Sequence, residues 1–538
     1  MRQYFRLLLC SSILFALIFS ACRNEPKLSV SDWDKTVNVR IGGDPESLGY
    51  LYVTDSKSLQ IIRQIFLPFT DFDPETYEMK PVLAKTMPII TEITSGEYAG
   101  LVSSAYEIRE EAVWADGSPV TGKDYLFTLK SVYNPNKPSI YAGQFRRIKS
   151  VVVDETNPKK FTIYSEPYMA VREYYSNFAP LPAYLYDPEG IMEKYSLADL
   201  RDKEKLKDKE DLKTLSDAFN SPKYLRSPEM LKGSGPYELA EWASGQQIVL
   251  TKKANWWGEE LSKKERLLKA IPNKVVFKMI PDLNAAVSLM KNGEIDIIAQ
   301  MDWTTFLNQK KKEDFTNEFN FYTPDKYAYR MMNFNTTKDK LSDPKVRRAI
   351  AHLFNREEIL NTVYYGYPTA ITGPIYPTKS AYNKDLKLLD FNVDKAKTLL
   401  KEAGWEDTDG NGIVDKLING ELTDLNIELK FASSNSDYTA VATIFKSAAL
   451  KGGVNINTNP METSSFMTSL RSKDFDMTFS GNSDYPFNLD PVSKWHTKGS
   501  INHASFGTAE SDALIIELRK TIDAVSYTHL TLPTICSV

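Results

Sequence analysis

Residues 1–22 constrain the chain most strongly, because they decide in which compartment it folds. Two arginines precede an apolar run at 7–19, which ends in small residues and Cys22. A basic start, a short apolar centre and small residues before a cut are typical of a secretory signal peptide. The run is shorter than the roughly 20 residues that a membrane-spanning helix needs. We therefore predict a signal peptide over 1–21 and a chain that folds after export.

The predicted cleavage site resembles a bacterial lipobox, because the residue after the cut is Cys22. In lipoproteins with this motif the cysteine becomes the new N-terminus and is acylated, and two or more acyl chains give a lasting membrane anchor. The polar segment 22–35 is then a flexible tether. We predict a lipid anchor at Cys22, on the periplasmic or extracytoplasmic face of the cell envelope. The alternative is an ordinary secretory peptide with a chance cysteine.

The end of the chain differs in character from the rest. Segment 525–538 resembles an in-frame translation of a sequencing-library adapter. Such segments are left out of fold reasoning, and Cys536 and His529 leave the chemistry with it. We predict that 525–538 is an artefact and that the natural sequence differs beyond residue 524. The alternative is a natural C-terminal strand.

Cysteine content decides how such a chain can be stabilised. With Cys10 in the signal peptide and Cys536 in the adapter segment, only Cys22 remains. No structural disulfide is expected, so stability has to come from burial of the apolar side chains, which make up 42% of the chain. A net charge of −4 gives no reason to expect nucleic-acid binding. Few histidines remain to serve in catalysis or to bind zinc. Aromatic residues make up 12% of the chain, which favours either a ligand cleft lined with rings or core packing.

Strand and helix patterns alternate along the chain, which predicts an α/β fold. Alternating or short apolar runs predict strands at 36–41, 106–109, 112–114, 248–250, 274–278 and 295–298. Apolar residues at helical spacing, with capping residues at the ends, predict helices at 58–67, 123–133, 283–291, 344–353 and 393–403. The highly charged segment 201–213 predicts a solvated surface helix.

Several segments, in order, resemble the family 5 extracellular solute-binding proteins, the peptide-binding lipoproteins of ABC importers. VRIGGDPESL at 39–48 is similar to the opening strand and turn of that family, and WADGSPVTGKD at 114–124 resembles its mid-lobe signature. DPKVRRAI at 343–350, followed by NREEI at 355–359, is a further match. The other similar blocks are 66–74, 79–85, 106–109, 233–258, 333–336, 396–405 and 474–476.

This resemblance implies a periplasmic-binding-protein type II (cluster C) fold, a two-jawed cleft with an extra lobe. It further implies an extracytoplasmic, monomeric protein that is not an enzyme and needs no cofactor. Such a protein captures short peptides by hinge closure and delivers them to the membrane subunits of an ABC permease. The implied lobes are lobe I (36–55, 186–305 and 496–524), lobe II (56–185) and lobe III (306–495), with the hinge near 305 and 495.

The resemblance also implies where the peptide is held. A free α-amino group is commonly bound by an aspartate shortly before an Asp–Pro pair, and Asp484 is the candidate here. A carboxylate in a closed cleft pairs well with an ammonium group, because the low local dielectric strengthens the bond. The alternative is that Asp484 is a turn residue beside Pro486. Tyr485, Phe487 and Trp495 are predicted either to line ligand pockets or to pack.

Two more candidates come from the block at 333–350. Arg347 lies on a predicted helix and is either the anchor for a ligand carboxylate, which suits a guanidinium fork, or part of a structural ion pair. Asn335 either bonds the ligand backbone or satisfies the end of a strand.

An acidic turn at 407–418 resembles the start of an EF-hand loop. Asp407, Asp409, Asn411 and Asp415 stand at positions that supply calcium ligands, but Ile418 stands where a bidentate glutamate belongs. A weak calcium site and a carboxylate-rich turn both remain open.

Two other functions remain open at this point. The same fold can bind an oligosaccharide, a metal chelate or another small solute, and Trp256, Trp257 and Trp495 offer rings for a sugar. A surface hydrolase with a pair of carboxylates is the remote alternative. A hydrolase would turn its substrate over, whereas a binding protein would return it intact.

Overall fold

A computed structural model describes most of the chain between residues 35 and 521. The described residues are 35–53, 55–167, 178–378, 382–483 and 491–521. The predicted signal peptide, the lipid site Cys22 and segment 525–538 lie outside them. Within the described residues, no helix is both long and apolar enough to cross a membrane.

Strands and mostly short helices alternate along the described chain, as the α/β prediction requires. The strands, in chain order, are β1 (Thr36–Ile41), β2 (Thr70–Phe72), β3 (Met79–Pro81), β4 (Ile89–Glu92), β5 (Val102–Glu107), β6 (Ile148–Val153), β7 (Lys160–Ser165), β8 (Tyr237–Ala243), β9 (Gln247–Lys252), β10 (Lys274–Met279), β11 (Ile297–Ile298), β12 (Ala328–Phe334), β13 (Asp415–Ile418), β14 (Glu421–Asp424), β15 (Asn426–Ala432), β16 (Asn455–Met461) and β17 (Met477–Ser483). The helices are α1 (Ser56–Ile65), α2 (Gly122–Val132), α3 (Ala142–Phe145), α4 (Ala183–Tyr186), α5 (Leu197–Arg201), α6 (Lys203–Leu206), α7 (Glu210–Phe219), α8 (Pro222–Arg226), α9 (Leu283–Lys291), α10 (Trp303–Lys310), α11 (Glu313–Thr316), α12 (Asp339–Ser342), α13 (Pro344–His352), α14 (Arg356–Thr362), α15 (Val393–Glu402), α16 (Ser436–Lys451), α17 (Thr463–Ser472), α18 (Val492–Trp495) and α19 (Ala509–Lys520). Single 3-10 turns lie at Ile191–Lys194, Leu261–Lys263 and Arg266–Leu268.

The chain divides into two compact units. Unit 1 comprises the described parts of 1–48, 53–65 and 222–300, and unit 2 those of 49–52, 66–221 and 301–538. Residues 186–221 and 496–521, expected in lobe I, therefore group with unit 2. The three lobe limits implied by the family resemblance stay a prediction.

The sheet of unit 1 has β1 in its interior, in the order β11-β1-β10-β9-β8. Strand β1 runs parallel to β10, with Thr36 opposite Lys274, and parallel to β11, with Val39 opposite Ile297. Strands β10, β9 and β8 are antiparallel neighbours. The alternation that predicts a half-buried strand at 36–41 is confirmed, since Val39 and Ile41 are buried.

Helix α1 packs closely against the turn before β8. It buries Ile61, Ile62 and Ile65, which recur at helical spacing. The backbone N–H of Gly235 donates to the carbonyl oxygen of Ile65 over 2.8 Å. A Cβ atom on Gly235 would lie 2.5 Å from the carbonyl oxygen of Gln64 and 2.7 Å from that of Ile65. Only glycine therefore lets the two segments approach this closely.

The ammonium group of Lys253 lies mostly buried after β9, where it donates to the carbonyl oxygen of Gly233 over 2.5 Å. Burial lowers its pKa to about 8, despite the opposing charge of Glu238. As pH rises from 7 to 9.5 the folded chain loses this proton while the unfolded chain keeps it. We therefore expect the free energy of unfolding to rise by about 1–2 kcal/mol over this range through Lys253 alone.

Urea unfolding of wild type and Lys253→Met at pH 7 and 9.5 measures this contribution. The variant should be more stable relative to wild type at pH 7 than at pH 9.5. Lys269→Met, at an exposed position of the same unit, should keep the wild-type pH dependence. Equal pH dependence in Lys253→Met and wild type would contradict the prediction.

Unit 2 contains an antiparallel sheet with the order β4-β5-β7-β6. Helix α2 joins it through a cluster of buried rings. Phe161 of β7 stacks on Tyr106 of β5 and on Tyr125 of α2, with ring centroids 5.1 and 5.0 Å apart. Phe69 meets Phe161 edge-on at 5.3 Å. These rings form much of the core between helix and sheet.

The second large sheet of unit 2 is mixed, with the order β12-β17-β15-β16. Strand β15 is parallel to β16 and β17, whereas β12 is antiparallel to β17 and pairs on that side only within the described residues. Helices α13, α15 and α16 share a core with this sheet. Its members include Ile350, Leu400, Phe431, Phe445 and Met477.

Two local predictions are wrong. Segment 112–114 is not a strand; Val113 forms only an isolated bridge to Pro119. The charged segment 201–213 is not one solvated helix, because α5 ends at Arg201 and two separate helices follow. Leu206 and Leu212 are both buried, so the segment is not solvated along its whole length.

Candidate functional site

Unit 2 contains an open cavity of about 1110 Å³. All seven residues of β12 line it, together with Gly481 of β17 and parts of α13 and α14. Segment 364–378 and the region around α18 supply further walls. The free edge of β12 therefore faces a large space rather than another described strand.

Arg330 is the charged centre of this cavity. Its Nη1 donates to the hydroxyl of Tyr364 over 2.6 Å and to the Asp437 carboxylate over 2.8 Å. The rings of Tyr364 and Tyr438 each lie 5.2 Å from the guanidinium carbon. Burial alone would lower the pKa of Arg330, but the neighbouring Tyr364 and Asp437 outweigh it and raise that pKa. The arginine is therefore charged and held in one orientation.

A tyrosine cluster covers another part of the wall. Tyr327 meets Tyr77 at 4.8 Å and Tyr376 at 4.5 Å between ring centroids, both edge-on. The hydroxyl of Tyr77 donates to the carbonyl oxygen of Asp325 over 3.0 Å, and Tyr327 shares a 3.1 Å hydrogen bond with Thr378. Burial raises the pKa of Tyr327. The three rings together offer an aromatic surface on which varied apolar groups can pack.

Of the predicted site residues, Arg347 lies in the cavity wall. Its Nη1 donates to the carbonyl oxygens of Leu341 and Ser342, both over 2.8 Å, and so caps the end of α12. Burial lowers the pKa of Arg347, and the nearby Arg348 adds to this against the opposing charge of Asp343. Within the described residues, Arg347 donates its hydrogen bonds to backbone carbonyls and not to a carboxylate, so a structural ion pair is not what holds this side chain.

Trp495 also lines the cavity, where it meets Phe506 edge-on at 6.2 Å. Asn335 does not: it is fully buried, and its amide nitrogen donates to the carbonyl oxygens of Lys473 and Phe475. Its amide oxygen accepts from Thr337. The structure gives Asn335 the strand-end role rather than the predicted ligand contact.

Asp484, Tyr485 and Phe487 lie outside the described residues, so their predicted contacts remain predictions. Sequence reasoning missed Arg330, Asp437 and Tyr327. The one clue to this site in the sequence was Arg330, the only charged residue in the otherwise mostly apolar strand β12.

The acidic turn at 407–415 brings carboxylate oxygens of Asp407, Asp409 and Asp415 within 4.8 Å of one another. Asp415 accepts hydrogen bonds from the backbone and hydroxyl of Thr408, and Asn411 donates to Asp409. The carboxylate-rich turn accounts for these contacts without an ion. The calcium alternative stays a prediction.

Residues 104–503 match the family described as bacterial extracellular solute-binding proteins, family 5 middle. The oligopeptide-binding protein AppA of Bacillus subtilis (strain 168) is 25% identical over 529 residues, which cover 96% of this chain and 88% of that protein. The nickel-binding periplasmic protein of Escherichia coli (strain K12) is 25% identical over 317 residues, 58% of each chain.

A solved structure supports the same fold. The Bacillus subtilis AppA structure in complex with a nonapeptide has a TM-score of 0.61 to this chain at 23% identity, covering 93% of this chain and 90% of that one. The predicted α/β fold of periplasmic-binding-protein type is thereby confirmed.

Proposed function

Because the chain belongs to the bacterial extracellular solute-binding proteins of family 5, we propose that it captures short peptides and delivers them to an ABC permease. Proteins of this family are extracytoplasmic and bind peptides or small solutes for such permeases. The observation that carries the peptide assignment is β12. It is an edge strand, and its whole length lines the cavity of unit 2.

An edge strand offers unpaired backbone N–H and C=O groups, which an extended peptide satisfies by adding a strand. The cavity of about 1110 Å³ exceeds the roughly 300–1,000 Å³ typical of pockets for single small molecules. Its aromatic walls contact peptide side chains mainly through non-directional packing, so side chains of different shape can be accepted. Waters can complete the hydrogen bonds of different residues, which suits a protein that accepts many sequences.

The nickel-binding relative raises a metal chelate as the competing ligand. The described residues of the cavity wall include no histidine, cysteine or glutamate. Imidazole and thiolate are the usual protein ligands of nickel and similar ions, so the described lining does not favour a metal ion held directly by protein side chains. A chelate brings its own metal ligands, and it is one of the outcomes that the experiment below distinguishes. Trp303 and Trp495 leave stacking surfaces for a sugar, and the experiment below includes that outcome.

The remaining details of the prediction form part of this proposal. Asp484 binds the α-amino group, Tyr485, Phe487 and Trp495 line side-chain pockets, and Arg347 anchors a carboxylate. The protein closes around its ligand as a monomer, returns it intact and is tethered through lipid on Cys22.

Cys22→Ala should abolish incorporation of labelled palmitate in cells; continued labelling would contradict the anchor.

Mass spectrometry of compounds released by denaturing the purified protein tests the peptide assignment. A mixture of short peptides is the expected result, because broad sequence tolerance leaves cellular peptides bound during purification. Glycans, metal chelates or one defined non-peptide compound would contradict it. If the protein is purified empty, titration with a tetrapeptide library replaces co-purification, and no binding there would contradict the proposal.

Asp484→Ala should weaken binding of peptides with a free α-amino group by about tenfold or more, because a buried ammonium loses its counter-ion. Isothermal titration calorimetry with one peptide and its N-acetylated form measures the effect. The acetylated form should bind wild type and variant alike. Unchanged affinity for the free amine would rule out Asp484 as its partner.

A further inference from the structure

The guanidinium group of Arg330 is held by two hydrogen bonds and by two nearby aromatic rings. Asp437 and Tyr364 occupy only Nη1, and the rings of Tyr364 and Tyr438 lie near the guanidinium carbon. Arginine normally loses side-chain entropy when it binds a ligand. Here the protein has already removed that freedom, so a ligand on the remaining edge meets a preorganised group.

The other edge of the guanidinium, formed by Nε and Nη2, makes no hydrogen bond to any described residue. The Arg330 side chain is 44% exposed and lines the cavity. Two parallel N–H donors along one edge match the two oxygens of a carboxylate. An ammonium group has no acceptor and cannot use this fork.

Gly481 leaves room beside the aliphatic part of the Arg330 side chain. It stands directly opposite Arg330 on β17 and is exposed in the cavity. Its φ is not in the left-handed region, so its backbone does not require glycine. A Cβ atom there would lie 3.4 Å from the Tyr438 hydroxyl and 3.9 Å from Cγ of Arg330. Alanine would fit the fold and occupy the space next to the arginine.

The described cavity wall carries more positive than negative side chains, which suits an anionic ligand group. Its basic residues are Lys326, Arg330, Arg347 and Arg356, and its acidic residues are Asp325 and Asp437. Asp437 already pairs with Arg330, but its side chain is 31% exposed. Water therefore screens part of the Asp437 charge, and the positive charge of Arg330 is not fully cancelled. An anionic group entering this wall meets a net excess of positive charge.

We propose that Arg330 binds a ligand carboxylate through its Nε–Nη2 edge, in a slot walled by Tyr364, Tyr438 and Gly481. The inference rests on the proposed function and adds the chemistry of the peptides captured: they present a carboxylate at this slot. That carboxylate is either the C-terminus or an aspartate or glutamate side chain.

A tetrapeptide library, prepared once with free C-termini and once as C-terminal amides, separates the two sources. Full-length protein is incubated with each library, and retained peptides are identified by mass spectrometry. Retention of free acids about tenfold above amides assigns the slot to the C-terminus. Equal retention with enrichment of aspartate or glutamate at one position assigns it to a side chain. Equal retention without such enrichment overturns the slot.

Variants connect the result to Arg330. Arg330→Gln should remove the preference for carboxylate, and Arg330→Lys, which keeps the charge but loses the fork, should reduce it only in part. Gly481→Ala should lower affinity about threefold or more without changing thermal stability. Arg471→Gln and Gly143→Ala, at exposed positions outside the cavity wall, should bind as wild type.

Two different results separate an error about the Arg330 slot from an error about peptide binding. If wild type retains peptides but Arg330→Gln retains the same set, peptide binding stands and the slot is overturned. If wild type retains neither library, the peptide assignment and the slot fall together.

Discussion

Gly235→Ala is expected to unfold unit 1 or to destabilise it by about 3 kcal/mol or more. The added methyl group would overlap the carbonyl oxygens of Gln64 and Ile65, 2.5 and 2.7 Å away. These are backbone atoms at the end of α1 and cannot rotate aside as a side chain would. Relief requires α1 to shift, which breaks the hydrogen bond between Gly235 and Ile65.

Urea unfolding, or the soluble yield if the variant does not fold, measures the effect. Gly42→Ala is the matched control, because a Cβ atom there would meet only the Arg40 side chain, at 3.7 Å or more. It should fold with nearly wild-type stability. A Gly235→Ala protein within about 1 kcal/mol of wild type would show that α1 and β8 are less tightly coupled than the distances indicate.

Phe161→Ala should lower the free energy of unfolding of unit 2 by about 3–5 kcal/mol. Phe161 is 2% exposed and contacts three aromatic rings at once, on β5, α2 and the segment before β2. Truncation removes buried apolar area and leaves a cavity between rings that cannot collapse without moving α2. Phe161→Leu, which fills part of the space, should lose less.

Phe391→Ala, where the ring is 39% exposed, is the surface control and should change stability by less than about 1 kcal/mol. Phe161 does not line the cavity. Phe161→Ala protein that remains folded at low temperature should therefore bind peptide like wild type. A shift of the unfolding midpoint no larger than that of Phe391→Ala would contradict the role of this ring cluster.

Helices were predictable where their ends carry local signals. Helix α9 matches its prediction at 283–291, because Asp282 caps its first turn and the pattern needs no distant partner. Helix α13 begins at the predicted Pro344, with Asp343 as N-cap. The strand expected at 295–298 shrinks to Ile297–Ile298, since its length depends on pairing with β1, which local sequence does not encode.

The cavity was predictable only in part. Arg347 and Trp495 were singled out from the sequence, and both line the cavity. Arg330 and Asp437 were missed, since they are far apart in sequence and meet only when β12 and α16 pack in one unit. No spacing rule links such a pair; only the lone charge in β12 hinted at it.

The strand order of unit 1 has a consequence for the timing of folding. Strand β1 is among the first parts of the chain to be made, yet both of its neighbours, β10 and β11, lie beyond residue 273. Contacts of such long sequence separation form late, because a long loop must close before they gain anything. Until the ribosome has supplied those strands, β1 has no partner, and the sheet cannot close. The topology of unit 1 thereby keeps its sheet open until late in synthesis.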